Sequence, residues 1–185
     1  MTESPAFHAW LQPRGFLEPF IGDDARDFRT ARSPYPMDLE SLVQYFGWSP
    51  RRRELIRSLM IFRKRLKLLG VTTGFQWIDG SFLEHSEELR HAEPQDLDVV
   101  TWIPSQSIET YTSLRALLPD RADIKQELGI DALFAPCTPE GWLEPSSACY
   151  WLGLFGHTRK REWKGIAQLN LAEIENEGIL DQVMQ

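Results

Sequence analysis

The hydrophobic period of the chain changes at Gly70, and this change limits the fold more than any other feature of the sequence. Before it, apolar residues recur at helical spacing through residues 50–69, where Ser49 is a good N-cap and Pro50 a good first helical residue. After it come short apolar runs that are typical of strands and are separated by turn signals. A chain of this kind is typical of a mixed α+β protein.

The short runs predict strands at residues 75–78, 97–103, 129–136, 149–158 and 164–171. Helices or helical turns are expected at residues 81–89 and 107–117, and the last two strands are expected to form a hairpin around the turn "RKREW". The sequence therefore predicts an α+β fold with an α/β-type core, in which a mixed sheet of about five strands is flanked by helices.

Residues 1–37 hold five prolines and few periodic apolar positions, so we expect an irregular N-terminal arm. Its aromatic residues would pack on the core: Phe7, Trp10, Phe16 and Phe20. Residues 38–185 are predicted to form a single domain, because a chain of this length can bury one sizeable core. That domain would begin with a helix from Asp38 to about Phe46 and end in a short helix from Glu173.

Composition and charge exclude several classes of protein. The hydrophobic content of 42% and the seven tryptophans indicate a folded chain, and the net charge of -7 argues against bulk non-specific binding to nucleic acid. No apolar run approaches the length of a membrane span, and the N-terminus lacks the regions of a secretion signal. Cys137 and Cys149 form no C-x-x-C motif and are interpreted as reduced thiols. We therefore expect a cytoplasmic protein without a membrane partner.

Two carboxylates, Asp96 and Asp98, stand at the start of the apolar run 97–103. Residues two apart on a strand point to one face, so both carboxylates would share a face opposite Leu97 and Val99. Such a pair repels unless a cation neutralises it. Mg²⁺ or Mn²⁺ suits oxygen ligands of this kind, and two such ions can clamp the oxygens of a phosphoryl transfer.

The dipeptide Gly80-Ser81 follows the first strand and precedes a predicted helix. Free N–H groups at a helix N-terminus, together with the serine hydroxyl, can bind a phosphate, and glycine allows the backbone to approach the anion closely. One stretch of sequence thus predicts a phosphate site and a metal site for a nucleoside triphosphate. Asp79 could join this site, but we interpret it as a turn residue.

The motif "WIDGS" followed by "DLDVV" resembles the polymerase-β-like nucleotidyltransferase superfamily, over residues 74–134. The spacer, residues 82–95, is slightly longer than is usual there. The segments "SPRRREL", "IDGSF" and "KGIAQLNL" are also similar to a family of uncharacterised bacterial and phage proteins of this fold.

The resemblance implies transfer of a nucleotidyl group from an NTP, with ATP expected, to a hydroxyl on a protein or nucleic-acid acceptor. Asp96 and Asp98 would bind the metal, and Gly80 and Ser81 the phosphates. Asp131 would be the third carboxylate, with catalytic and metal-binding roles, and Asp123 and Glu127 are weaker alternatives. Minimal bacterial members are antitoxins that adenylylate a toxin, so a toxin partner is a candidate acceptor.

Two basic segments leave other functions open. Residues 50–69 hold eight basic residues and one glutamate, and residues 159–164 hold four basic residues and one glutamate. We expect the first to be a solvated helix face, with an RNA, nucleotide or acidic-partner surface as the alternative. Lys164 is the basic residue expected near the triphosphate. A non-catalytic protein that binds a partner through the arm and the basic surfaces is the main alternative function, and an RNA-binding accessory protein is the third.

Overall fold

The computed structural model describes residues 14–22, 26–27, 31–106, 108–172 and Gly178. The helices described there are α1 (Leu39–Phe46), α2 (Pro50–Leu68), α3 (Ser86–Leu89), α4 (Ile108–Arg115), α5 (Arg121–Leu128) and α6 (Pro145–Phe155), with a 3-10 turn at Gly80–Leu83. The strands are β1 (Phe20–Ile21), β2 (Ala31–Arg32), β3 (Tyr35–Pro36), β4 (Phe75–Asp79), β5 (Leu97–Pro104), β6 (Ile130–Cys137) and β7 (Ala167–Asn170).

Five of these strands form one mixed sheet in the order β3-β7-β4-β5-β6, while β1 and β2 form a separate antiparallel pair. β4 is antiparallel to both of its neighbours, β5 and β7. β5 and β6 are parallel, so the chain between them crosses over through α4 and α5. The predicted α+β fold with a mixed sheet of five strands is confirmed.

The two faces of the sheet pack into two different cores. Leu97, Val99 and Ile103 of β5 join a large core with residues of α1, α2 and α5. Val100 and Trp102 join a smaller cluster that includes Trp77 and, from α6, Trp151. Because side chains alternate along a strand, Asp98 lies on the face of this tryptophan cluster. This is the face opposite Leu97 and Val99, as the sequence predicts.

The predicted helix at residues 50–69 is confirmed, with Pro50 as its first residue and the hydroxyl of Ser49 accepting a hydrogen bond from the Arg52 amide at 3.3 Å. The expectation of a solvated basic face is wrong for Arg52 and Arg63, which are buried. Arg63 donates hydrogen bonds to the Gln76 side chain at 3.0 Å and to the Asn170 carbonyl at 2.8 Å. Its guanidinium therefore links α2 to β4 and β7.

The predicted strand at residues 149–158 is wrong, because Pro145–Phe155 form helix α6. Pro145 occupies its first position, and the Glu144 carboxylate accepts a hydrogen bond from the Ser147 amide at 3.0 Å, which is an N-cap. Trp151 and Phe155, four residues apart, pack together on the sheet. The helical period was hidden because nearly every residue of this segment is apolar or small. The prediction of a hairpin between these two segments is therefore also wrong. The strand predicted at residues 164–171 is confirmed as β7.

The fifth strand of the sheet comes instead from the segment expected to be an irregular arm, since Tyr35–Pro36 pairs with β7. Phe16 is buried and Phe20 half-buried, as expected for an arm that packs on the core. The predictions that concern Phe7, Trp10, the helix start at Ser107 and the helix from Glu173 lie outside the described residues. No helix among the described residues is long and apolar enough to cross a membrane.

Candidate metal and phosphate site

Three neighbouring strands place aspartates side by side. In the register of the sheet Asp79 of β4 is opposite Asp98 of β5, and Asp98 is beside Asp131 of β6. Residues directly paired in a ladder point to the same face, so these side chains form a row. We call Asp79, Asp98 and Asp131 the acidic row. It lies on the face of the tryptophan cluster, at the end where β4 stops and β5 and β6 begin.

Asp96 completes a trio with two members of the row. Carboxylate oxygens of Asp96, Asp98 and Asp131 all lie within 4.8 Å of one another. The structure therefore brings together the three carboxylates that the sequence assigns to a metal. The alternatives are elsewhere: Asp123 is exposed on α5, and Glu127 makes an ion pair with Arg65 of α2.

Two cations from α5 neutralise part of this charge. Arg121 forms a bidentate contact with Asp131, and the Lys125 ammonium lies 2.6 Å from Asp96 and 3.0 Å from Asp131. Arg121 and Lys125 are four residues apart, so they lie on one face of the helix. Hydrogen bonds from Arg121, and then from Lys125, hold the pKa of Asp131 below its usual range.

Asp98 is the member of the trio that neither Arg121 nor Lys125 contacts. Among the described residues it makes no hydrogen bond and no ion pair. Burial raises its pKa, and the nearby charges of Asp96 and Asp131 raise it further. A half-buried carboxylate between other carboxylates is favoured in its ionised form only when a cation reaches it.

Gly80 is adapted to the Asp98 carboxylate. Its φ of 82° is in the left-handed region that favours glycine. A Cβ atom at this position would lie 2.2 Å from Asp98 Oδ2, so no other residue fits without moving that carboxylate. The sequence predicts close approach of the Gly80 backbone to an anion, and the anion found in contact with it is Asp98.

Lys164 reaches this turn, as predicted, but its ammonium is buried and engaged. It donates hydrogen bonds to the Gly80 carbonyl and to Glu84, both at 3.1 Å, and lies 2.9 Å from Asp79 Oδ1. Burial lowers the pKa of Lys164, but the charges of Asp79 and Glu84 outweigh this effect and raise it overall. The ammonium therefore supports the Gly80 turn from inside, and direct contact with a phosphate stays a prediction.

Asp79 is more than a turn residue. Its carboxyl is buried, and Oδ1 lies 2.9 Å from the Lys164 ammonium. Burial raises the pKa of Asp79 to about 7, against the opposing effect of Lys164. This carboxyl is thus expected to change charge near neutral pH.

The segment that follows Gly80 is less helical than the sequence predicts. Instead of one helix from Ser81 there is the four-residue 3-10 turn and then the four-residue α3. Ser81 is half-buried within the turn. Arg52 of α2 holds this turn from behind, since its guanidinium donates to the carbonyls of Phe82 at 2.5 Å and Glu84 at 2.6 Å. The turn is therefore fixed by tertiary contacts and has no long helix dipole behind it.

Sequence reasoning missed Glu84, Arg121 and Lys125, and it interpreted Asp79 as a turn residue. A signal existed for Arg121 and Lys125. They are four residues apart in the segment before "GIDALF", so on a helix they would lie on one face, close to the start of the next strand. For Asp79 the signal was its place at the end of an apolar strand. Glu84 is buried in contact with Lys164, which lies 80 residues further along the chain. No local sequence pattern indicates that contact.

The trio fits a hard divalent cation. Mg²⁺ binds oxygen ligands at about 2.0–2.1 Å, which separates adjacent ligand oxygens by about 3 Å and opposite ones by about 4 Å. Oxygens within 4.8 Å of one another reach this arrangement by small rotations of the side chains. The Lys125 ammonium must then withdraw, which its half-exposed side chain permits.

Comparison with known proteins assigns the chain to a family. It belongs to DUF6932, described as a family of unknown function, whose family model matches residues 9–170. This range contains every residue of the acidic row, the Gly80 turn and Lys164. No curated protein and no solved structure matches the chain.

Proposed function

We propose that the protein is a metal-dependent nucleotidyltransferase, which transfers a nucleotidyl group from an NTP to a hydroxyl of a protein or nucleic-acid acceptor. The observation that carries the proposal is the position of Asp98. It stands between Asp96 and Asp131 with no hydrogen bond or ion pair of its own among the described residues, against a glycine at which a Cβ atom would meet its carboxylate. The resemblance of "WIDGS" and "DLDVV" to the polymerase-β-like superfamily supports the same reaction.

In this proposal Asp96 and Asp98 hold Mg²⁺ or Mn²⁺, with Asp131 as the third ligand. A bound divalent cation would offset the charge of the triphosphate and polarise the phosphoryl group that is attacked. The backbone of Gly80 and Ser81 contacts the phosphates, and Lys164 and Arg52 keep that backbone in place. Positioning of this kind is the main contribution of a protein to phosphoryl transfer.

Asp131 accepts the proton of the attacking hydroxyl. Arg121 keeps the pKa of its carboxyl low, so the carboxyl is ionised at neutral pH. Because a low pKa also makes it a weak base, proton transfer would depend on the metal to lower the pKa of the attacking hydroxyl. ATP is the expected nucleotide, and a toxin-like protein partner is the expected acceptor, both from the resemblance alone.

One observation favours a second candidate, a non-catalytic protein that binds a partner on the same fold. Lys125 and Arg121 already neutralise Asp96 and Asp131. An acidic cluster that its own chain neutralises needs no metal to be stable. In that case the trio is structural, and adding a divalent cation changes neither stability nor activity.

A transfer assay tests the proposal. The protein, with any partner that co-purifies, is incubated with each α-³²P-labelled NTP and Mg²⁺ or Mn²⁺, and labelled products are separated and identified by mass spectrometry. We expect label on one acceptor, and Asp131→Asn should lower the rate by about 10²–10⁴-fold, the contribution of a general base, while nucleotide binding survives.

Asp98→Asn should abolish both metal-dependent nucleotide binding and transfer. Asp123→Asn is the matched control, because it removes an exposed carboxylate of α5 outside the trio and should leave transfer unchanged. If wild-type protein transfers nothing with any of the four NTPs while it still binds its partner tightly, the enzyme is excluded and the second candidate takes its place.

A further inference from the structure

A groove of about 620 Å³ lies beside α6, and none of the trio is among its lining residues. It is bounded by α6, by the segment that contains β1 and β2, and by the loop that precedes β7. Its walls are mainly apolar, and the residues that define it here are Phe20, Cys149, Leu152, Gly153, Trp163 and Ile166. We call this cavity the α6 groove. Cys149, Leu152 and Trp163 are exposed, so the described part of the chain leaves this side of the groove uncovered.

Helix α6 is unusually apolar for a surface helix. It carries no charged residue between Pro145 and Phe155, yet only Trp151 and Phe155 are buried against the sheet. A helix that is apolar on all sides is normally covered. Large exposed apolar patches on a folded protein mark interaction sites.

Gly153 gives independent support for an occupant of the groove. It lies in the interior of α6, where glycine costs stability relative to alanine. A Cβ atom at this position would meet nothing within 4 Å, so packing within the described chain does not require glycine there. A glycine that faces open space on a helix allows close approach of another backbone.

A rigid basic turn borders the groove. His157 and Trp163, which both line it, pair through a bridge with their rings 5.0 Å apart. Between them the hydroxyl of Thr158 accepts hydrogen bonds from the amides of Lys160 and Glu162, both at 3.2 Å. The turn therefore carries three exposed cations that have no partner among the described residues: Arg159, Lys160 and Arg161. Arg159 and Lys160 line a smaller neighbouring cavity, so these cations lie beside the groove and not in its wall.

We propose that the α6 groove is a docking site for an acidic, amphipathic segment of a partner protein. Apolar side chains of that segment would fill the groove beside Leu152 and Gly153, and its carboxylates would face Arg159, Lys160 and Arg161. This is the pattern of a helix or extended peptide that lies in an apolar groove with complementary charge at its rim. The chain itself carries a net charge of -7, so this basic turn is a local exception.

Two other occupants fit the surface less well. A symmetric dimer through this face would place like patches opposite each other, and the two basic turns would repel. A nucleic acid would gain from the cations and could stack on Trp163. It needs such contacts along its whole path, and the α6 wall of Leu152, Gly153 and Cys149 offers neither phosphate contacts nor a stacking surface.

Selection from a random peptide library on phage tests the proposal with the full chain as bait. We expect enriched peptides with apolar residues at i, i+3 or i+4 and i+7 and an excess of Asp and Glu. With the Leu152→Glu variant as bait these peptides should not be enriched, because the substitution places a carboxylate in the groove. Leu154→Glu is the matched control: it is exposed on the same helix but outside the groove, and it should select the same peptides.

Cys149 then reports whether the selected peptides occupy the groove. It is exposed there, whereas Cys137 is buried and its pKa is raised by burial to about 11, so a thiol reagent should modify Cys149 first. The best peptide should slow modification of Cys149 in the native protein by at least about tenfold at saturation. Arg159→Glu with Arg161→Glu should weaken its binding by about tenfold or more, because charge complementarity is lost.

The proposal would be overturned if the library gave no enriched peptides, or if the enriched peptides had no excess of Asp and Glu. It would also be overturned if Leu152→Glu selected the same peptides as the wild type, or if the selected peptides did not protect Cys149 from modification. A single-stranded RNA probe that protects Cys149 where the peptides do not would identify a nucleic-acid surface instead. A dimer in light scattering that Leu152→Glu dissociates would identify a second copy as the occupant. The result is independent of the transfer assay, because none of these substitutions touches the trio or the Gly80 turn.

Discussion

Gly80→Ala and Gly70→Ala form a matched pair that tests the contact between the Gly80 turn and Asp98. The two glycines have nearly the same φ, 82° and 89°. A Cβ atom at Gly70 would meet nothing within 4 Å, whereas one at Gly80 would lie 2.2 Å from Asp98 Oδ2. The left-handed conformation costs a non-glycine residue about 1–2 kcal/mol at either site. Only Gly80→Ala must also displace a carboxylate.

The displacement sets the size of the expected difference. The Asp98 oxygen must move by about 1 Å to reach ordinary contact, and forced shifts of this kind cost about 1–3 kcal/mol. We therefore expect Gly70→Ala to lose about 1–2 kcal/mol of the free energy of unfolding, and Gly80→Ala to lose about 2–5 kcal/mol. Urea denaturation followed by tryptophan fluorescence measures both.

The same pair should differ in its response to metal. Mn²⁺ should raise the melting temperatures of the wild type and of Gly70→Ala alike, because bound ligand stabilises the folded state. Gly80→Ala should lose this response, since its Asp98 carboxylate is out of place. Equal stability losses, with the metal response kept in both variants, would refute the argument that Gly80 fits Asp98.

Two further predictions concern buried charge. Arg52→Lys should lower the free energy of unfolding by about 1–3 kcal/mol, because one ammonium keeps the charge but cannot donate to Phe82, Glu84 and Glu87 together, which leaves a buried carbonyl without a donor. A loss within about 0.5 kcal/mol of zero in urea denaturation would contradict it. The folded pKa of Asp79, about 7, lies above its unfolded value of 3.8, so wild-type stability should fall as the pH rises between these values. Asp79→Asn should remove this fall, and unfolding curves of both proteins from pH 4 to pH 8 with the same slope would count against it.

The sequence predicts the parts of this protein whose signals are local. The helix that begins after Ser49 is set by its cap and its apolar period, and the strands around Asp98 and Asp131 are set by apolar runs that end at turn residues. Asp96 and Asp98 follow from the same pattern, whereas Asp131 is implied by the resemblance. The register of β5 and β6 then places Asp131 beside Asp98.

The parts that the sequence does not predict depend on contacts between distant segments. From the sequence, Arg52 and Arg63 are interpreted as surface cations. In the structure Arg52 donates to a carbonyl of the Gly80 turn and Arg63 to the carbonyl of Asn170, and both partners come from distant parts of the chain. Helix α6 is mistaken for a strand because it is apolar on every side, which removes the period that distinguishes the two. The unexpected strand Tyr35–Pro36 has two residues, too few to show alternation.

The most direct test of the account is a crystal structure of the protein soaked in Mn²⁺, with anomalous diffraction measured at the manganese absorption edge. We expect one strong anomalous peak about 2–2.5 Å from oxygens of Asp96, Asp98 and Asp131, with the Lys125 ammonium displaced from its contacts with Asp96 and Asp131. Crystals of Asp98→Asn, treated in the same way, should lack the peak. An empty trio at millimolar Mn²⁺, with Lys125 still 2.6 Å from Asp96, would contradict the claim that these carboxylates form a metal site.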